Sequence, residues 1–307
     1  MTNNIYDVLE SINIPESGFI FKKVNESFWG KDSNDNIVFG LLSRENSKTI
    51  IESTKNLSLL LNIECEIEDE KSKSREHLNL LVLKNKTLLD LFISLTSVFV
   101  KNETNYSFLK FFLHLKELFS IDSKAQTSEL QGLFGELFVL YYFKSVHNLD
   151  ISDFYQSTNK MKFDFSISDT KKIEIKTTLK QERIHHFKNE QLNNLRYDIK
   201  IISLMLQKDD KGLSLLTLIQ HCKNLFSDSL TTLLNIEKIV RTCETSDLET
   251  IVFNEKHLVD NMKIFDSREI PKIKEKTDAG IFNIEFDSNL SNSTALSTQE
   301  IIKWIQL

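Results

Sequence analysis

The stretch from Lys162 to Leu179, KFDFSISDTKKIEIKTTL, constrains the fold more than any other part of this chain. Phe163, Phe165 and Ile167 alternate with Asp164, Ser166 and Ser168. After a polar turn, Ile173, Ile175 and Thr177 alternate with Lys172, Glu174, Lys176 and Thr178. Two period-two runs around such a turn predict a β-hairpin. Successive strand side chains point to opposite faces, so Glu174 and Lys176 share one. With Ser168, Asp169 and Thr170 as the loop, an antiparallel ladder sets Asp164 opposite Glu174 on that face. Two carboxylates facing across a ladder repel unless something cationic sits between them. A divalent metal would supply that charge, and Lys176 a neighbouring one. A hairpin that shows its polar face to water has the same alternation. On its own the stretch therefore allows either a metal-dependent site or a solvated face.

Upstream, LQGLFGELFVLYYF (Leu130 to Phe143) contains a single charged residue, Glu136, with apolar residues on nearly every side. This pattern predicts a buried helix. A carboxylate inside it must be paired, hydrogen-bonded or metal-facing, because burying it alone is prohibitive. A structural lysine or arginine partner would satisfy Glu136 equally well. Gly132 and Gly135 each cost about 1 kcal/mol of helix propensity against alanine, which points to close approach of another backbone on that face.

Together, Gly132-Leu133-Phe134-Gly135-Glu136, Phe163-Asp164-Phe165 and Glu174-Ile175-Lys176-Thr177-Thr178 resemble the PD-(D/E)xK nuclease superfamily. With Arg183-Ile184-His185-His186-Phe187 and Gln191-Leu192 added, they are similar to a bacterial PD-(D/E)xK group often encoded in anti-phage defence cassettes. The motifs run from Gly132 to Leu192, and Phe163 stands where the superfamily's name puts proline. The resemblance implies an α/β (α+β) fold with a restriction-endonuclease-like core, a mixed sheet flanked by helices. It implies Asp164, Glu174, Lys176 and Glu136 as catalytic residues. The metal ligands would be Asp164, Glu174 and the Ile175 carbonyl. Gln191 would reach the site from the next helix, with His186 and Lys180 as further substrate contacts. His185 and His186 are adjacent, so on a strand at most one of them faces the site.

Hard oxygen ligands select Mg²⁺ or Mn²⁺, and Mg²⁺ commonly keeps several waters beside one or two carboxylates. Asp164 and Glu174 fit that count. The expected reaction is restriction-like hydrolysis of DNA phosphodiesters by an endonuclease in a bacterial defence or restriction system. An ATPase and a methyltransferase are the expected protein partners, and a homodimer is compatible. Two other readings stand beside it: a nuclease fold used for DNA binding or assembly without hydrolysis, and a DNA-repair nuclease.

The net charge of −6 argues against a surface that is basic throughout. From Lys160 to Lys200, however, ten basic residues face six acidic ones, so positive charge gathers around the candidate site. Cys65, Cys222 and Cys243 are far apart and have no metal-ligand spacing, which fits a reducing cytoplasm and no structural zinc. No apolar run has the length of a membrane span, and the first residues lack the pattern of a signal peptide.

Alternating runs between Phe19 and Leu83 predict a β-rich accessory domain over residues 1–104, with residues 105–307 as the nuclease-like domain. Lys31 to Asn36 reads as a hairpin turn, and the charged run Glu64 to Glu76 as a solvated loop. Helices are expected at Leu88 to Val100, Tyr106 to Phe119, Glu129 to Val146 and Lys188 to Arg196. A third core strand is expected at Asp198 to Gln207 and a turn at Asp209 to Gly212. Gly280 to Phe286 reads as a late strand, and Ser297 to Ile305 as a closing helix capped near Ser297.

Overall fold

The computed structural model describes residues 2–43, 49–69, 72–102, 107–120, 127–155, 163–274 and 280–307. It is a mixed α+β protein of two compact units, Met1–Ile121 and Asp122–Leu307. The boundary expected between 104 and 105, and Lys162 at the head of the hairpin, lie outside the described residues.

The first unit begins with helix α1 (Thr2–Glu10) and a six-stranded antiparallel sheet. Its strands are β1 (Phe19–Val24), β2 (Ser27–Asp32), β3 (Ile37–Leu42), β4 (Ile50–Ser53), β5 (Leu57–Asp69) and β6 (Ser72–Leu83), in the order β1-β2-β3-β6-β5-β4. Helices α2 (Leu89–Lys101) and α3 (Phe108–Phe119) follow. The turn before β3 forms where expected, with Asp32 Oδ1 accepting the N–H groups of Asn34 and Asn36. Trp29 is buried against Phe39 and meets the edge of Phe92 on α2. Phe108 stacks on Phe39 and meets Phe99 edge-on, which fixes α3 in this unit rather than with the residues that follow.

In its described residues the run Glu64 to Glu76 is not a loop. It continues the β5–β6 ladder, with Glu64 opposite His77 and Glu66 opposite Arg75. Cys65 and Ile67 alternate with the glutamates and pack on the same cluster as Leu78 and Leu80, so the charges line one face of a strand.

The second unit starts with helix α4 (Thr127–His147). Its main sheet holds β7 (Phe165–Ser166), β8 (Lys171–Thr178), β10 (Asp198–Met205) and β13 (Lys263–Asp266), in the order β13-β10-β8-β7. Strands β8 and β10 are parallel and the other pairs antiparallel. Between β8 and β10 the chain forms β9 (Ile184–Lys188), which pairs with β14 (Glu285–Asn289), and the single turn α5 (Asn189–Leu192). The helix expected from Lys188 to Arg196 is thus only that turn. Strand β11 (Lys208–Ser214) pairs with β12 (Val252–Phe253) across a register shift and contains the residues expected as a turn. The remaining helices are α6 (Leu215–Leu225), α7 (Leu230–Val240), α8 (Thr245–Thr250), α9 (Glu255–Asn261) and α10 (Thr298–Gln306). Helix α10 starts with a capping box: Glu300 N–H donates to Ser297 Oγ, and Ser297 N–H to Glu300 Oε2 at 2.7 Å.

The sheet is covered on both faces. On one, Ile173, Ile175, Ile202 and Leu204 join a core with Phe134, Leu137 and Phe138 of α4 and Leu218 of α6. On the other, Ile199, Ile201 and Phe265 pack with Phe187 of β9, Leu192 of α5 and Phe163. Each fully buried aromatic or aliphatic side chain contributes about 1.5–3 kcal/mol. Two such layers hold β8 rigidly between them.

Helix α4 is buried as its composition requires, and Gly135 is the reason it lies so close to the sheet. A methyl group at Gly135 would run into Cγ2 of Thr177 and stand 3.3 Å from atoms of both Ile175 and Leu204. The close approach is made by strand side chains rather than by another backbone. Gly132 faces open space and has no such role. No helix among the described residues is long and apolar enough to cross a membrane.

Candidate active site

The predicted register holds where the hairpin pairs. Phe165 lies opposite Ile173 and Ser166 opposite Lys172, so the next step along sets Asp164 against Glu174. The ladder stops there. In place of a further strand residue, Asp164 Oδ2 accepts the Ile175 N–H at 2.6 Å. Strand β7 has only two residues because this carboxylate takes the next bonding position on the edge of β8. The N–H and C=O of one strand residue point to the same side, so the Ile175 carbonyl faces the same edge as Asp164.

Glu174 is buried on the face of β8 that carries Lys176. Its Oε1 accepts from Lys176 Nζ at 2.8 Å and from Gln191 Nε2 at 2.5 Å. The Gln191 amide oxygen accepts the Lys188 N–H, which fixes the side chain's direction. Glu174 Oε2 is buried and has no hydrogen-bond partner among the described residues. A buried acceptor left without a partner costs about 1–3 kcal/mol, more when charged, so this oxygen marks a place built for something else. Lys176 Nζ also lies 5.3 Å from the ring centre of Phe187, whose face supports the cation.

Glu136 comes from α4. Its Oε2 accepts from the Tyr155 hydroxyl at 2.9 Å, so its partner is neither a lysine nor an arginine. Tyr155 is itself buried, bridged to Phe165 of the edge strand. Sequence reasoning misses it: one tyrosine after Phe154 has no local pattern that links it to a helix acid nineteen positions earlier.

Three buried carboxyl groups therefore act on one another electrostatically, and each is influenced by the charge of Lys176. Burial pushes the Glu136 carboxyl up to about 7, against the lowering effect of Tyr155, and the charge of Glu174 adds to the rise. Asp164 is raised well above the ordinary carboxylate range by burial and then by Glu174 and Glu136. Glu174 is raised by burial, with Lys176 and Gln191 opposing. Burial and mutual repulsion thus favour protons on these acids while no cation is bound. A hard divalent cation would replace those protons, and it would find Glu174 Oε2 already desolvated. Among the described residues no three His, Cys, Asp or Glu side chains are grouped to hold a metal ion. A set of two carboxylates, a carbonyl and waters is what Mg²⁺ ordinarily takes, so the residues present fit such an ion.

The remaining expected contacts are placed differently. Of the two histidines, His185 turns inward and His186 outward. His186 is exposed on the face of β9 opposite Phe187, held by Asp287 at 3.0 Å and Glu285 at 3.2 Å, and does not join the cluster. His185 Nε2 meets Ser203 Oγ at 2.6 Å, and burial, with Arg183 and Lys176 nearby, lowers its pKa to about 4. Arg183 donates to the Ser203 carbonyl and hydroxyl and to the Asn261 carbonyl, tying the start of β9 to β10. Ser203 pairs with Lys176 across the sheet, so this buried network backs the strand that carries the lysine. Lys180 is exposed just beyond β8.

Over residues 10–291 the chain matches the family described as "Putative PD-(D/E)XK family member". The chain belongs to that family. The fold brings Asp164 together with Glu174-Ile175-Lys176 at the edge of β8. The family match spans both compact units. No curated protein and no solved structure matches the chain.

Proposed function

We propose that this PD-(D/E)XK family member is a Mg²⁺- or Mn²⁺-dependent endonuclease that hydrolyses DNA phosphodiester bonds. The observation that carries the reading is the buried, partnerless Glu174 Oε2, set beside Lys176 and at the strand edge capped by Asp164. Asp164, Glu174 and the Ile175 carbonyl would hold the ion. When bound, the ion polarises a phosphoryl oxygen and lowers the pKa of a coordinated water. Lys176, on the same face, sets its ammonium beside the scissile phosphate, where it offsets the charge that develops there. Gln191 orients Glu174. Tyr155 fixes the direction of Glu136, which shares the negative field that draws in the cation.

The proposal includes the setting: a bacterial anti-phage or restriction system in which an ATPase and a methyltransferase select the target. The weak local positive charge supports it, because an enzyme fed by partners can bind DNA loosely by itself. The test is cleavage of supercoiled and linear DNA by the full chain with its genetic partners, under a titration of Mn²⁺ and Mg²⁺. Cutting by the wild type and none by Lys176→Ala is the expected result. Intact DNA in every wild-type reaction ends the nuclease reading and leaves a binding or assembly role.

A further inference from the structure

A second feature of the same unit lies away from the acidic cluster. A cavity of about 620 Å³ opens where β8 and β10 begin, and Arg196, Arg268, Lys272, Lys274, Asp198 and Asn189 are among the residues that line it. Four cations and one acid give this lining a charge of +3 on a chain whose net charge is −6. Asp198 is already neutralised by Lys200 at 2.7 Å, and Arg268 is tied to Asp266 at 2.5 Å. The other three cations have no carboxylate within ion-pair distance among the described residues. Lys272 Nζ is half-buried and donates to the carbonyls of Leu192 and Ser267, at 3.0 and 3.2 Å. Arg196 lies over the ring of Tyr197. Burial lowers the pKa of Lys272 despite the opposing charges of Asp266 and Glu269, a cost that an anionic ligand would offset.

Helix α5 joins this cavity to the candidate active site. Gln191 bonds Glu174 on one side of the turn, while Asn189 and Leu192 line the cavity. Thr170, also on the cavity wall, immediately precedes β8 and stands four residues before Glu174, roughly 13 Å at strand spacing. A few nucleotides of one DNA strand cover that span.

We propose that the cavity seats backbone phosphates of the DNA strand a few nucleotides from the bond aligned at Lys176. This rests on the nuclease reading for its register, while the site itself needs only a phosphate backbone. Arg196 and Lys274 supply the exposed charge, and Lys272 a fixed ammonium at the floor.

The test is fluorescence anisotropy of a labelled DNA duplex with the full chain in EDTA, across a salt series. It compares the wild type with Arg196→Ala/Lys274→Ala and with Lys256→Ala/Lys303→Ala, which removes equal exposed charge elsewhere. The cavity variant should bind about tenfold more weakly and lose about two from the slope of log K against log salt, since each phosphate contact contributes about 0.9. The control pair should leave the slope unchanged. Equal slopes for wild type and cavity variant overturn the proposal, as does retention of pyrophosphate or a free nucleotide with no DNA binding. Cleavage with Mn²⁺ is scored separately. Cutting that persists with an unchanged slope removes the cavity and keeps the nuclease. A reduced slope without any cutting by the wild type removes the nuclease and keeps the cavity as a DNA site.

Discussion

Lys176 and Glu174 stand two positions apart on one strand and meet at 2.8 Å on its buried face. The same carboxylate leaves its second oxygen without a partner. Lys176 is thus half of the charge balance at the site, and a cation would be the other half.

Replacing Lys176 with methionine keeps the apolar stem against Phe187 and removes the charge. DNA cleavage should fall by about 10²–10⁴-fold, the range typical of a lost proton-handling or charge-stabilising group. Secondary structure by circular dichroism should be unchanged. A variant that cuts as fast as the wild type would exclude Lys176 from the chemistry.

The Glu136 carboxyl sets a pH dependence whose sign follows from its raised pKa. In the unfolded chain the acid releases its proton near its ordinary value of 4.5, whereas in the folded, cation-free protein it holds it to about 7. Between those values the folded state binds more protons, so stability falls as pH rises, and the loss is complete above about 7. Glu136→Gln accepts the same Tyr155 hydrogen bond without a charge. In EDTA, its stability relative to the wild type should therefore rise from about pH 5 to about pH 8. Urea denaturation at several pH values measures this, and parallel profiles would contradict it.

Gly135 and Gly132 look alike in the sequence but should respond in opposite ways. Gly135→Ala drives a methyl into Thr177, a β-branched side chain fixed on β8. It should cost about 1–3 kcal/mol, as overpacking does. Adding Thr177→Ser removes the offending Cγ2 and should return most of that loss. Gly132→Ala meets open space and should gain about 0.5–1 kcal/mol from helix propensity. Chemical denaturation of the three variants decides it, and equal effects at the two glycines would show that α4 does not rest on Thr177.

What the sequence could convey is visible in the same residues. Period-two alternation was enough to put Asp164 opposite Glu174 and Lys176 beside it, because strand geometry leaves few other choices. It could not show that the ladder stops at Phe165, since the reason is a side chain taking a backbone's place. Alternation also misled at Gly280 to Phe286. Ile281 and Phe282 are exposed, and the strand begins only at Glu285, where pairing with β9 is available. The run from Glu64 to Glu76 failed in the opposite sense: its charges suggested solvent, yet Cys65 and Ile67 between them keep it in the sheet. Tyr155, the inward turn of His185 and the basic cavity were beyond reach. Each depends on segments distant in the chain, and their residues show no distinguishing local pattern.

The partnerless oxygen of Glu174 leads to a direct measurement on the intact chain. A cation that binds the folded state alone stabilises it by RT ln(1 + [L]/Kd), about 2.7 kcal/mol at one hundred times Kd. For a unit of this size that raises Tm by roughly 5–10 °C. Mn²⁺ should produce such a shift in the wild type, and the shift should grow with pH because the ion displaces the protons held by Glu136, Asp164 and Glu174. Asp164→Asn and Glu174→Gln should each abolish it, whereas His186→Ala, on the far face of β9, should leave it intact. Lys176→Met should keep or enlarge the shift, since removing the ammonium leaves the carboxylates more negative, and this separates metal binding from the catalytic loss expected of the same variant. A Tm that does not respond to Mn²⁺ at any pH would mean that the buried carboxylates are held by protons alone.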